Sequence, residues 1–230
     1  GFEKENPSYG GWDFLGQGDA HGVTTGTNVS VTCLVLEALA EEFRREPGGK
    51  QIGEIQAALR RVLPWVNLCQ QKDGGFCFTP EPMSLNNKAD FRDDARHEPR
   101  AYGTATCDGI RCLLAGGIKA DDKRIVKAAS WLAARPSLEL VPGFEGLPPE
   151  LGWQRGLRFY YYASLAKVLP TLPVADVASR RKGVLEMLLK LQRTDGSFLN
   201  EIDRMRENDP LIATALGVMA IGEILNQLLA

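Results

Sequence analysis

The chain has 230 residues, 44% apolar and 24% charged, an ordinary globular composition with enough apolar side chain for a sizeable core. A formal charge of -2 and a pI near 5.8, with Lys and Arg dispersed among Asp and Glu, give no basic stripe, which excludes nucleic acid as an expected partner. The longest apolar stretch, LIATALGVMAIG from residue 211, falls short of the roughly 20 residues a bilayer-spanning helix needs, so no transmembrane segment is expected.

The opening GFEKENPSYGG has neither the basic nor the apolar region of a signal peptide, and the compartment stays open. A first turn, YGGWDF, leads into QGDAHGVTTGTN, which sets Asp19, His21 and Asn28 ahead of a helix over 27–43. A second helix is predicted over 51–69, with Pro64 kinking it by clashing with the carbonyl of Arg60. It ends on LCQQKDGGFCF, where Gln70, Gly74 and Phe76 stand at fixed spacing. A polar loop over 79–90 then reaches FRDDARHEPRAY, gathering Asp93, Asp94, Arg96, His97, Glu98 and Arg100 ahead of Tyr102. Loops of this kind carry function often enough that Asp94 and His97 are catalytic candidates, although a solvated surface loop has the same composition.

The segment 104–115, TATCDGIRCLLA, is apolar around most of its circumference and closes at Gly116-Gly117. Segment 121–134 instead has Ile125, Ala128, Ala129 and Leu132 on one face and Lys123, Arg124 and Lys127 opposite, with Asp121 or Asp122 as its cap. GLRFYYYASLAKVL follows, then a half-exposed helix over 182–192, a second copy of the turn (Gln192, Gly196, Phe198), and an apolar helix over 210–225 begun by Asp209-Pro210. Strand signals are almost absent, so the class is all-α.

Two helix types therefore alternate: inner ones, apolar on several sides, and outer ones, apolar on one stripe. Gly10, Gly74 and Gly196 lie 64 and then 122 residues apart, and KAASWLAARPSLELVPGFEG supplies a degenerate unit in the longer gap. The repeats are roughly 1–45, 46–117, 118–170 and 171–230, one domain in all. In the turn, the glutamine amide can satisfy orphan carbonyls at the helix end, glycine supplies positive φ, and the aromatic plugs the gap between units.

Arg61, Trp65, Val66, Gln70, Gly74 and Phe76 together resemble the repeat motif of squalene and hopene cyclases and bacterial prenyltransferase-like repeat proteins. The copy at 127 keeps Lys127, Ala128, Trp131 and Leu132 but has Pro136 for Gln, and the last copy has Met187 for the aromatic. NPSYGGWDF, YGTATCDGIRCLLAGGI and RENDPLIATALGVMAIG extend the resemblance over nearly the whole chain. It implies an α/α toroid, here a partial ring, with an axial cavity for an isoprenoid or other apolar small molecule. A partial ring leaves an apolar flank, so self-association or further upstream helices are expected.

Cyclases protonate through an Asp-x-Asp-Asp motif, whereas this chain has only the pairs Asp93-Asp94 and Asp121-Asp122. Prenyltransferases hold zinc with Asp, Cys and His; here Cys107 and Asp108 lack the histidine, so neither metal nor cofactor is expected. Asp108 is the third catalytic candidate, and Asp108 and Arg111 form either an intrahelical pair or a polar site in the cavity. Arg158, Phe159, Tyr160, Tyr161 and Tyr162 cover every direction of a helix turn, so some face the axis as ligand-binding candidates, with Tyr102, and the rest pack. Two other readings stay open: a non-catalytic scaffold or interaction domain, and a sugar-active toroid. The five cysteines read as core, with Cys69 and Cys77 placed to bridge in an oxidising compartment.

Overall fold

Asn28 begins the first helix as its residue pattern requires: its side chain accepts from the backbone N–H of Val31 at 2.9 Å, and α1 runs Val29–Arg45. The computed structural model of the protein describes residues 8–14, 26–80, 88–92 and 98–229. Asp19, His21, Asp93, Asp94, Arg96 and His97 lie outside them. Helix accounts for 59% of the structure and no strand is formed among the described residues, which makes the class all-α.

The long elements are α1, α2 (Ile52–Cys69), α3 (Gly103–Ala115), α4 (Lys123–Ala133), α6 (Arg158–Val168), α7 (Val174–Leu191) and α8 (Pro210–Leu229), with a single turn, α5 (Trp153–Gly156), between α4 and α6. Helices α1, α3, α6 and α8 pack side by side in chain order, while α2, α4 and α7 lie behind them. The front helices run parallel: Ser30, Asp108 and Tyr160 meet at one level, and Glu37, Arg111 and Lys167 meet further along all three.

The caps hold as expected. Asp122 accepts from Arg124 N–H at 2.9 Å and Asp209 from Leu211 N–H at 2.9 Å. Pro64 leaves α2 unbroken to Cys69. Helix α7 starts eight residues before the expected 182, because Pro173 presets the backbone of its start and Asp176 sits in the first turn, while its apolar stripe emerges only at Val184 and Leu188. Helix α8 runs to Leu229 rather than 225. At 20 residues it is long and apolar enough, by length and composition, to cross a membrane. It buries Ala213, Gly217, Ala220 and Ile224, and exposes Leu211, Val218, Met219, Leu225 and Leu229. The expectation that the inner helices over 27–43, 104–115 and 210–225 are covered on more than one side therefore holds for α3 and fails for α8, the last in its layer, and for α1, which buries only Val29, Thr32, Cys33 and Leu36 among the described residues and exposes Leu34.

The repeat is visible in atomic detail. Trp12, Phe76 and Phe198 each donate a backbone N–H to a threonine of the following front helix, Thr32, Thr106 and Thr214, at 2.9, 3.0 and 3.0 Å. Gly10 and Gly74, at φ +100° and +97°, press against the carbonyls of Arg61 and Lys127, where a Cβ would sit 2.5 and 2.7 Å from oxygen. The basic residue of the motif thus contributes its main chain as the seat for the preceding turn. Gln70 Nε2 donates to Gly74 O at 3.0 Å and also to Arg124 O at 2.8 Å, tying the turn to α4. Among the described residues, Gln192 makes only the side-chain bond within its own turn, to Gly196 O at 3.0 Å, and a Cβ on Gly196 would approach nothing closer than 4.0 Å.

Candidate functional site

Four parallel helices in one layer create two ends. Their first turns border an apolar cavity of about 210 Å³ that is open to solvent at Phe14 and Leu34 and lined also by Val31 of α1, Tyr102 at the start of α3, Tyr160 of α6, Leu216 of α8, and Lys88. Their later turns border a wider, charged recess of about 810 Å³ that includes Glu37, Arg111, Lys167 and Glu223.

Asp108 separates the two. It is 0% exposed, and its carboxylate accepts from Ser30 Oγ (2.7 Å), Tyr160 OH (2.9 Å), the Arg111 guanidinium (2.8 Å) and Ser164 Oγ (3.1 Å). Four donors engage both oxygens of the carboxylate, so Asp108 is held within the protein. Arg111 in turn grips Glu37 with two bonds of 2.8 Å, and Lys167 reaches the same carboxylate at 2.9 Å. Burial pushes the Glu37 carboxyl up, but the bonds and charges of Arg111 and Lys167 outweigh it and hold the group below its ordinary range. The result is a closed quartet of two acids and two bases. Arg111 faces the charged recess with its donors already committed, so the intrahelical pair is formed and extended across three helices.

The aromatic run divides by direction. Tyr160 faces the cavity and Asp108. Phe159 packs on Phe198, with ring centroids 5.5 Å apart, and Tyr162 donates its hydroxyl to Leu138 O at 2.6 Å. Tyr161 is wholly buried, without a hydrogen bond for its hydroxyl among the described residues. Arg158 does not border the apolar cavity, and its Nε is buried without a partner among the described residues. Tyr102 borders the cavity and stacks against Phe144 at 5.1 Å. Of the candidate binding residues, Tyr102 and Tyr160 line the apolar cavity, Asp108 and Arg111 form the plug beneath it, and the other four belong to other surroundings.

Two groups at the cavity escaped the sequence reading. Glu207, 0% exposed, accepts from the backbone N–H groups of Phe159 (3.1 Å) and Tyr160 (2.9 Å) and from Asn200 Nδ2 (2.8 Å), so it caps α6 from a distant loop. Burial raises its carboxyl above the ordinary value despite those donors. Lys88 places its ammonium 3.3 Å from the centroid of Phe78 and 5.7 Å from that of Trp153. No local signal marks either one, because each acts through residues distant in sequence.

All five cysteines are free and buried, Cys69 and Cys77 included, and burial pushes the thiols of Cys33, Cys69, Cys107 and Cys112 up, away from nucleophilic use. No group of three or more His, Cys, Asp or Glu gathers among the described residues. Comparison with protein-family models, with curated proteins and with solved structures finds no match to this chain.

Proposed function

We propose that the chain is a squalene cyclase-like, prenyltransferase-like repeat domain, an arc of an α/α toroid, whose axial cavity binds an isoprenoid-like or other apolar small molecule. The observation that carries this reading is the apolar cavity bordered by the first turns of four parallel helices, with Tyr102 and Tyr160 in its wall. The repeated turn, with its glutamine bond and threonine anchor, supports the resemblance. Cyclisation by protonation is not part of the proposal, since the chain has no Asp-x-Asp-Asp motif and Asp108 is engaged by four donors. A volume of about 210 Å³ lies below the roughly 300–1,000 Å³ of drug-sized pockets, so the fitting ligand is short, of monoterpene rather than triterpene length. Thermal unfolding with geraniol, squalene, polyprenyl diphosphates and oligouronates tests it. Geraniol at 100 times its dissociation constant should add about 2.7 kcal/mol. Silence from every isoprenoid in a folded sample would sink the reading; a response to oligouronates alone would favour the sugar-active alternative.

A second reading, an interaction domain, rests on a separate observation. The turns at Gly10 and Gly74 each press on the backbone of an outer helix, and the turn at Gly196 has none, beside the bare face of α8. Sedimentation should show concentration-dependent association that Leu225→Glu abolishes. A monomer at every concentration would remove this reading.

A further inference from the structure

The charge inventory of the apolar cavity singles out Lys88. Asp108, nearest in charge, is consumed by Arg111, Ser30, Ser164 and Tyr160. Glu207 is held by the start of α6 and by Asn200. The hydroxyls of Tyr102 and Tyr160 carry no charge, since burial raises both well above the ordinary tyrosine value. Lys88 lies over the rings of Phe78 and Trp153, and no ion pair joins it to a carboxylate among the described residues. Burial lowers its ammonium to about 8, with the charge of Asp108 opposing that fall.

The helices add to the same sign. The first turns of α1, α3, α6 and α8 all border this cavity, so the positive ends of four helix dipoles converge on it. Asn28, Glu207 and Asp209 cap three of them, and α3, whose N-cap residue is Tyr102, has no side-chain cap. A cation kept among aromatic rings beside an uncapped helix start has already lost most of its water. An entering anion therefore gains an ion pair while only its own head group is desolvated.

We infer that the cavity takes a short amphiphile whose anionic head, a carboxylate, pairs with Lys88 while its hydrocarbon tail lies against Tyr102, Tyr160 and Leu216. This rests on the apolar-ligand reading above and names the ligand class. At roughly 30 Å³ for each water-sized group, the cavity holds about seven such groups, which sets the tail near seven carbons beyond the carboxylate.

Octanoate and octanol, matched in tail and differing in head, are titrated calorimetrically into the protein at pH 7 and pH 10, and into Lys88→Met and Lys88→Arg. Octanoate should bind wild type about tenfold tighter than octanol at pH 7, with the preference gone at pH 10. Lys88→Met should keep octanol and lose the preference, and Lys88→Arg should retain it at both pH values. Equal binding of the two ligands, or an unchanged preference in Lys88→Met, overturns the inference and leaves the apolar-ligand reading standing. Failure of both ligands on wild type overturns both.

Discussion

Arg111→Met tests whether the quartet is the element that fixes the front helices in register. The substitution keeps much of the apolar stem and removes the guanidinium, leaving Asp108 at 0% exposure without an ion-pair partner among the described residues. Breaking a buried pair on one side costs roughly 3–5 kcal/mol, which for a chain of this length is about 6–20 °C in melting temperature. Asp108→Asn alone should cost about 1–3 kcal/mol, because Arg111 keeps Glu37. The double variant should lose clearly less than the sum, since neither charge is then stranded. Urea unfolding followed by far-ultraviolet circular dichroism supplies all four values. The pH dependence gives a second check. Glu37 sits below its ordinary 4.5 in the folded chain, so its contribution is present above that pH and is lost as pH falls through the folded value. The gap between wild type and Arg111→Met should therefore narrow in acid. A loss below about 1 kcal/mol for Arg111→Met, or strict additivity in the double variant, would refute the reasoning.

The two glutamines of the repeated turn should differ: Gln70→Ala loses the bonds to Gly74 O and Arg124 O and costs about 1–3 kcal/mol, whereas exposed Gln192→Ala stays within about 0.5 kcal/mol, both read from urea midpoints. Gly109→Ala places a Cβ 2.3 Å from the Phe76 ring and should cost about 1–3 kcal/mol by the same assay, while Gly222→Ala, which meets nothing within 4 Å, should cost nothing. Folding penalises the charged form of Lys88, so wild-type stability should rise between about pH 8 and 10.5, and Lys88→Met should gain about 1–2 kcal/mol at pH 7 and lack that rise.

The all-α class, the two helix types and the turns were legible because each rests on local chemistry. Asp122, Asp209 and Asn28 cap within three residues, and the stripe of Ile125, Ala128, Ala129 and Leu132 is a helical period. What the turn holds was only half legible. Its glutamine was expected to satisfy carbonyls, but that one of them is Arg124 O, 54 residues on, depends on packing between units. The start of α7 was missed because its first two turns bury little, and apolar periodicity is the signal that finds a helix. At the site, Asp108 and Arg111 stood out as charges in an apolar helix, while Lys88 and Glu207 did not, since a lysine in a polar stretch and a glutamate before Asn208 look like surface. Their surroundings come from far along the chain, Trp153 for Lys88 and the start of α6 for Glu207.

The two ends of the front layer differ for one electrostatic reason. Parallel helices sum their dipoles, and the charged side chains answer them: Arg44, Arg45, Arg111 and Lys167 lie toward the C-terminal ends, while Glu207 and Asp209 lie at N-terminal starts. At the C-terminal end, Arg111 and Lys167 are then tied to Glu37 and Asp108, which neutralises the plug and leaves it nothing to offer an ion. At the N-terminal end the dipoles carry the same positive sign as Lys88, and the wall is apolar. A ligand that gains from both burial and charge can therefore do so at only one end of the front layer, and the head group that gains there is an anion.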